Sequence, residues 1–299
     1  MTDARRPVIA AGRRHSVGVR VDGSVVAAGS PGSPECSVGA WSDIVSVAVG
    51  SVHTAPNTGR SHTVGLRTDG TVVAVGWDKD GQCAVAGWAD VVFVAAGWRR
   101  TLGVRASGTV LAAGRAREGA CQVDEWEEIV AAAAGDWHSV GLRADGTVAA
   151  VGNNRRGQCE VSGWRGITSV SAGHLHTVAV TGTGRVHAAG DRSAGAAEVL
   201  DWRDVVALSA GSHHTAGVDT RGRVLAAGDN SHGQCDTASW RDVVAVTAGS
   251  THTLGLRGDG TVLAAGNNDG GRCDVAGWHV RAVSAPEPWR AIARIRARR

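Results

Sequence analysis

Twelve histidines, six cysteines and eleven tryptophans are the side chains through which this 299-residue chain could bind a metal, transfer a proton, form a thiolate or grip a partner. Zinc sites built on cysteine need close C-x-x-C pairs, because two sulfurs must reach one small ion. Cys36, Cys83, Cys121, Cys159, Cys235 and Cys273 are instead at least 38 residues apart and keep one beat, with Ala197 in the vacant place. Equivalent sites of neighbouring repeats should lie on the order of 10 Å apart, beyond the roughly 7 Å that a disulfide spans. They are expected to be buried small hydrophobes. Six histidines, His15, His62, His138, His176, His214 and His252, share a G-x-x-H-[ST] slot. A side chain that recurs in each copy serves the copy, so these imidazoles are expected to satisfy backbone groups at a turn. Arg100 replaces histidine in this slot.

The tryptophans divide. Trp41, Trp88, Trp126, Trp164, Trp202, Trp240 and Trp278 are in register and read as packing. Trp77, Trp98 and Trp137 have no counterpart in most copies, and arginines surround them. Tryptophan and arginine are enriched at binding hot spots. The candidate partner-binding set is therefore Arg60, Trp77, Trp98, Arg99, Arg100, Arg115, Arg117, Trp137, Arg155 and Arg156. Asp78, Asp80, Glu118 and Asp136 are the nearby acids in the same turns.

The repeat that must position these residues spans 38 residues. Its glycine occurs at Gly12, Gly59, Gly97, Gly135, Gly173, Gly211 and Gly249, and the first step, of 47, is assigned to a nine-residue insertion at 51–59. Within a copy, 243–248 and 252–257 read as β-branched strands. Asp259-Gly260 supplies a hairpin turn, 261–265 a third strand, and 273–275 a short fourth. One such copy cannot bury its own core, whereas radial sheets can bury one against the next. The expected fold class is all-β, a seven-bladed β-propeller of seven 38-residue repeats over residues 1–285. A terminal strand, 7–11 or 280–285, closes the ring. A basic tail, 286–299, follows. In a four-stranded antiparallel blade, alternate turns return to one side. The first-to-second and third-to-fourth turns thus share a face, and Trp77, Trp98 and Trp137 all fall there.

Residues 134–159, A-G-D-W-H-S-V-G-L-R-A-D-G-T-V-A-A-V-G-N-N-R-R-G-Q-C, resemble the repeat of the regulator of chromosome condensation family, and the resemblance runs over about 7–285. It implies a seven-bladed propeller that binds through a face. Relatives include a guanine-nucleotide exchange factor, a plant ultraviolet-B photoreceptor and a secreted bacterial β-lactamase inhibitor. The photoreceptor's G-W-R-H-T motif is matched here only by Trp98 with Arg99.

Net charge is +3, and the tail holds five arginines against Glu287, so the body is not a strongly basic nucleic-acid binder. There is no G-x-x-x-x-G-K-[ST], G-x-S-x-G or H-E-x-x-H pattern. No cofactor or metal is expected. The N-terminus lacks an apolar secretory stretch, and no apolar run is long enough to span a membrane, so a cytoplasmic location is expected. The expected function is a non-enzymatic protein-interaction module using a Trp/Arg arc on blades 2–4. An acidic protein surface is the expected partner. Self-association, or nucleic acid bound through the face or tail, is the other option. The alternatives are a regulator or exchange factor of a small GTPase, a homodimeric tryptophan-based ultraviolet sensor, and an enzyme with its site at the channel mouth.

Overall fold

The computed structural model describes residues 6–50 and 61–282. Seven antiparallel three-stranded sheets form the blades of a propeller. Blade 1 comprises β1 (Ile9–Ala11), β2 (His15–Val19) and β3 (Val25–Gly29); blade 2, β4 (Ile44–Val49), β5 (His62–Arg67) and β6 (Val72–Gly76). Blade 3 holds β7 (Val91–Gly97), β8 (Arg100–Arg105) and β9 (Val110–Gly114), and blade 4 β10 (Ile129–Ala134), β11 (His138–Arg143) and β12 (Val148–Gly152). Blades 5, 6 and 7 begin at β13 (Ile167–Ala172), β16 (Val205–Ala210) and β19 (Val243–Ala248).

Two expectations are corrected. The segment at 273–275 is a loop and not a fourth strand, and its counterparts in the other blades form no strand either, with a 3-10 helix, Pro34–Cys36, in blade 1. Side chains hold these loops in place of a ladder: Asn154 Oδ1 accepts the Cys159 N–H at 2.8 Å, and the Cys159 thiol donates to the Asn153 carbonyl at 3.5 Å. The cysteines are accordingly half-buried and not fully buried. Burial raises their thiols, Cys83 to about 12 and Cys159 to about 11, which keeps them protonated and unreactive. The second correction concerns the insertion. Gly50, not Gly59, ends the first strand of blade 2, and its N–H donates to the His62 carbonyl at 3.0 Å. The extra residues thus follow the register glycine. The first step is 38 and the second 47.

The register glycines form a closed circle. A Cβ on Gly97 would meet the Gly135 carbonyl at 2.3 Å, one on Gly135 the Gly173 carbonyl at 2.3 Å, and so around to Gly249 and Gly12 at 2.4 Å. Any side chain here would push neighbouring blades apart. The in-register tryptophans lock the blades further out. Each lies on a small residue in the middle strand of the following blade: a Cβ on Gly65 would meet Trp41 at 2.8 Å, and one on Gly141 would meet Trp126 at 2.8 Å.

Both chain ends contribute to closure. Trp278 and Val280 seat on Gly18 of blade 1. Val280 pairs with Arg20 as Ile44 pairs with Arg67 in blade 2. The Val19 carbonyl then accepts the Arg281 N–H at 2.7 Å, while the Val19 N–H donates to Val8 at 2.8 Å. The inner strand of blade 1 is therefore a composite. The handover falls at the β-bulge that the other six blades carry near the start of their inner strands. A bulge already leaves one residue unpaired, so a chain break there loses little ladder.

A second circle runs through the slot histidines. Each imidazole Nε2 donates to a hydroxyl of the next blade: His15 to Thr63 at 2.8 Å, His62 to Thr101 at 2.8 Å, His138 to Thr177 at 2.8 Å, His176 to Thr215 at 3.0 Å, His214 to Thr253 at 2.8 Å and His252 to Ser16 at 2.9 Å. Each hydroxyl in turn donates to a loop carbonyl, as Thr63 does to Glu35 at 2.6 Å and Thr177 to Gln158 at 2.7 Å. Because the hydroxyl proton is committed to that carbonyl, the imidazole must be the donor. The histidines join blade to blade and do not cap the turn backbone as expected. Burial depresses them, His62 and His214 to about 4 and His15, His138 and His176 to about 3. They are neutral at physiological pH.

Candidate binding face

Arg100 completes the belt where the histidine is missing. Its Nε donates to Ser139 Oγ at 3.0 Å and its Nη1 to the Asp136 carbonyl at 3.2 Å. Nη2 donates to the carbonyls of Gly135 and His138. It is 1% exposed, and burial lowers its guanidinium to about 10, leaving it charged at neutral pH. Arg100 therefore holds blade 3 to blade 4 and leaves the candidate surface set. Nothing in its residue type revealed this, but its slot did, since histidine occupies that slot elsewhere.

Its neighbour Arg99 points the other way for a backbone reason. In blade 3 the first strand extends to Gly97, which pairs with Arg100, so Trp98-Arg99 forms a two-residue hairpin turn. Arg99 adopts φ 61°, the left-handed region that non-glycine residues rarely occupy. Strained residues of this kind concentrate at functional sites. The conformation sets the Arg99 guanidinium 4.5 Å from the Trp77 ring and 4.5 Å from the Trp98 ring. Arg115 lies 5.2 Å from Trp98 and 5.9 Å from Trp137, and Trp98 meets Trp137 edge-on at 4.3 Å. The result is a ladder, Trp77–Arg99–Trp98–Arg115–Trp137, crossing blades 2, 3 and 4. Each cation–π contact contributes about 0.5–1 kcal/mol at an exposed site and ~2 kcal/mol or more when desolvated.

Carboxylates order the two arginines from the side. Asp80 Oδ2 lies 3.3 Å from Arg99 Nη1, and Glu118 takes Arg115 through both oxygens. That pairing lowers the Glu118 carboxyl. Trp98 is 5% exposed and forms the buried centre, while Trp77 and Trp137 are partly buried. Arg117, Arg155 and Arg156 are exposed at the rim, with Lys79 beside them. Arg60 and the insertion at 51–59 lie outside the described residues, as does the tail at 286–299.

One residue follows the register glycine in each blade. Blade 3 has Trp98, blade 4 Asp136, blade 5 His174 and blades 6 and 7 Ser212 and Ser250. His174 Nδ1 and Asp136 Oδ2 are 2.9 Å apart. The Ser212 N–H donates to Gly249 and that of Ser250 to Gly12, both at 3.1 Å. Among the described residues, no group of three or more His, Cys, Asp or Glu side chains converges as metal ligands would.

A family model for the regulator of chromosome condensation (RCC1) repeat matches residues 57–82, 129–158, 167–195, 205–234 and 243–272. These five matched repeats belong to this family. No curated protein matches the chain at the level of sequence. Solved structures agree on the fold. Prp20p of Saccharomyces cerevisiae, a protein studied for its binding to Gsp1p and histones, is 17% identical with a TM-score of 0.62. That match covers 80% of this chain and 75% of that one. The CRINKLY WD40 ectodomain of the Arabidopsis thaliana receptor kinase ACR4 is 20% identical with a TM-score of 0.60, over 74% of this chain and 84% of that one. The BP39L lectin of Burkholderia pseudomallei is 14% identical with a TM-score of 0.58, over 88% and 97%. Among the described residues, no helix of this regulator of chromosome condensation repeat propeller is long and apolar enough to cross a membrane.

Proposed function

We propose that this chain is a non-enzymatic interaction module that holds an acidic protein surface against the face of blades 2–4. The observation that carries the reading is the Trp77–Arg99–Trp98–Arg115–Trp137 ladder. It stacks rigid aromatic area and oriented guanidinium groups on one face, and it depends on a strained turn that the fold does not otherwise need. Arginine side chains packed against indole rings combine planar apolar area with a fixed fork of N–H donors, the chemistry that suits carboxylates. Arg117, Arg155 and Arg156 add positive charge around this centre, where it speeds encounter more than it strengthens the complex. The binding of Gsp1p and histones by Prp20p supports a protein as the class of partner.

The test is affinity capture from native extract with the wild type, a Trp77→Ala/Arg99→Ala variant, and an Asp69→Ala/Asp145→Ala variant altered on the opposite face. The expected result is an acidic protein retained by the wild type and the opposite-face variant and lost by the first variant. Retention by all three would move the binding surface elsewhere. A second copy of this chain as the captured species would replace the acidic partner with self-association.

A further inference from the structure

The residue before the loop cysteine varies around the ring, with Ala120 and Ala196 in blades 3 and 5 and Arg272 in blade 7. Blades 2, 4 and 6 place glutamine there, and its Oε1 accepts the backbone N–H two residues earlier: Gln82 from Asp80 at 3.1 Å, Gln158 from Arg156 at 3.0 Å, and Gln234 from His232 at 2.9 Å. Blade 1 has Glu35. Its side chain is 4% exposed, and Oε2 is buried with no hydrogen-bond partner. Beside it opens a cavity of about 330 Å³ between blades 1 and 2, lined also by Arg13, Arg14, Ser33 and Ser61. The Ser61 hydroxyl, from the neighbouring blade, is buried and unpartnered as well. Arg14 is exposed at the opening.

A buried carboxylate oxygen and a buried hydroxyl without partners are rare in folded proteins and call for a donor. We propose that this cavity binds a small molecule carrying both charges, a free basic amino acid, with its side-chain cation on Glu35 and Ser61 and its carboxylate toward Arg14 and Arg13. A simple anion would meet the Glu35 carboxylate. A simple cation would have to pass the two arginines. A molecule carrying both charges satisfies the floor and the rim together, and the volume lies at the lower end of the ~300–1,000 Å³ range typical of small-molecule pockets. The site is separate from the Trp/Arg ladder and does not rest on the partner proposed for it.

Isothermal titration calorimetry on the full chain tests this with three probes: L-arginine, agmatine (which lacks the carboxylate) and acetate (which lacks the cation). L-arginine is expected to bind with a Kd near or below ~1 mM and agmatine about fivefold more weakly, with no heat from acetate. Glu35→Gln installs the residue of blades 2, 4 and 6, so it should fold, as a melting curve will verify. It should weaken L-arginine binding at least ~10-fold. Arg14→Ala should erase the difference between L-arginine and agmatine. Absence of L-arginine binding, equal binding by Glu35→Gln, or equal affinity for L-arginine and agmatine in the wild type would each overturn the proposal.

Discussion

The loop after the third strand is built alike in blades 2 and 3 and in blades 5 and 6, yet its first residue does opposite work. In blades 5 and 6 that residue is Asp191 or Asp229, whose Oδ1 accepts the N–H of Ser193 at 3.0 Å or Ser231 at 2.9 Å. Asn153 and Asn267 do the same in blades 4 and 7, for Arg155 at 2.9 Å and Asp269 at 2.6 Å. These short side chains mimic a backbone turn and hold their own loop. In blades 2 and 3 the position belongs to Trp77 and Arg115, which cannot make that bond. They reach sideways to Arg99, Trp98 and Trp137 instead. One side of the face uses its first turn residue for the turn, and the other gives up that bond for a shared surface, with Arg115 tied to its own loop through Glu118 instead. Local rules broken together on adjacent blades mark function more strongly than any one of these residues does.

The largest expected effect lies beneath both sides, in the histidine belt. The folded imidazoles have pKa values of about 3 to 4, below the unfolded value of 6.5, so the unfolded chain binds more protons between these limits. Stability is fully present above about pH 7 and falls as pH drops from 6.5 toward 4, with a loss on the order of 2 kcal/mol for each buried histidine by about pH 5. Urea titrations at stepped pH will read this. A flat profile would mean that the belt is not buried and neutral.

Next in size is the contrast between two adjacent arginines. Arg100→Ala removes a buried donor from three carbonyls and the Ser139 hydroxyl and should cost about 3 kcal/mol or more in chemical denaturation, with Arg100→His recovering most of it. Arg99→Ala should cost less, about 1–2 kcal/mol of stability, for two ring contacts and a partly exposed ion pair. In the captured complex the order reverses. Trp77→Ala and Arg99→Ala should each weaken binding by about 2 kcal/mol, roughly 30-fold, as read by surface plasmon resonance. The smallest effect separates the two sides again. Asn153→Ala should lower stability by about 1 kcal/mol and leave partner binding unchanged. If Asn153→Ala weakened binding as much as Trp77→Ala, the division of the face into self-supporting and presenting loops would fail.

Much of this was legible in the sequence because the repeat multiplies each signal. Periodic Gly, His and Trp exposed the blades, and the residues that break the period, Trp77, Trp98 and Trp137, pointed to the face on which the structure brings them together. The misreadings share a cause. Gly59 precedes a perfect G-x-x-H pattern, and only the pairing of β4 with β5 assigns the register to Gly50. A short fourth strand is expected at 273–275, where loop hydrogen bonds from Asn and Cys prevail, as at Cys159. Arg100 was read by type as a surface cation, and its position in the belt buries it.

The sequence by itself determined the number of blades, their order and the exceptional residues, because those are properties of spacing along one chain. Tertiary structure decided what lies across blade boundaries. His252 meets Ser16, Val280 continues the strand begun by Val8, and Glu35 is left beside Ser61 with an oxygen unpartnered. The physical reason is closure. A ring brings residue 280 beside residue 20, and no local pattern records which side chains will meet when its ends join.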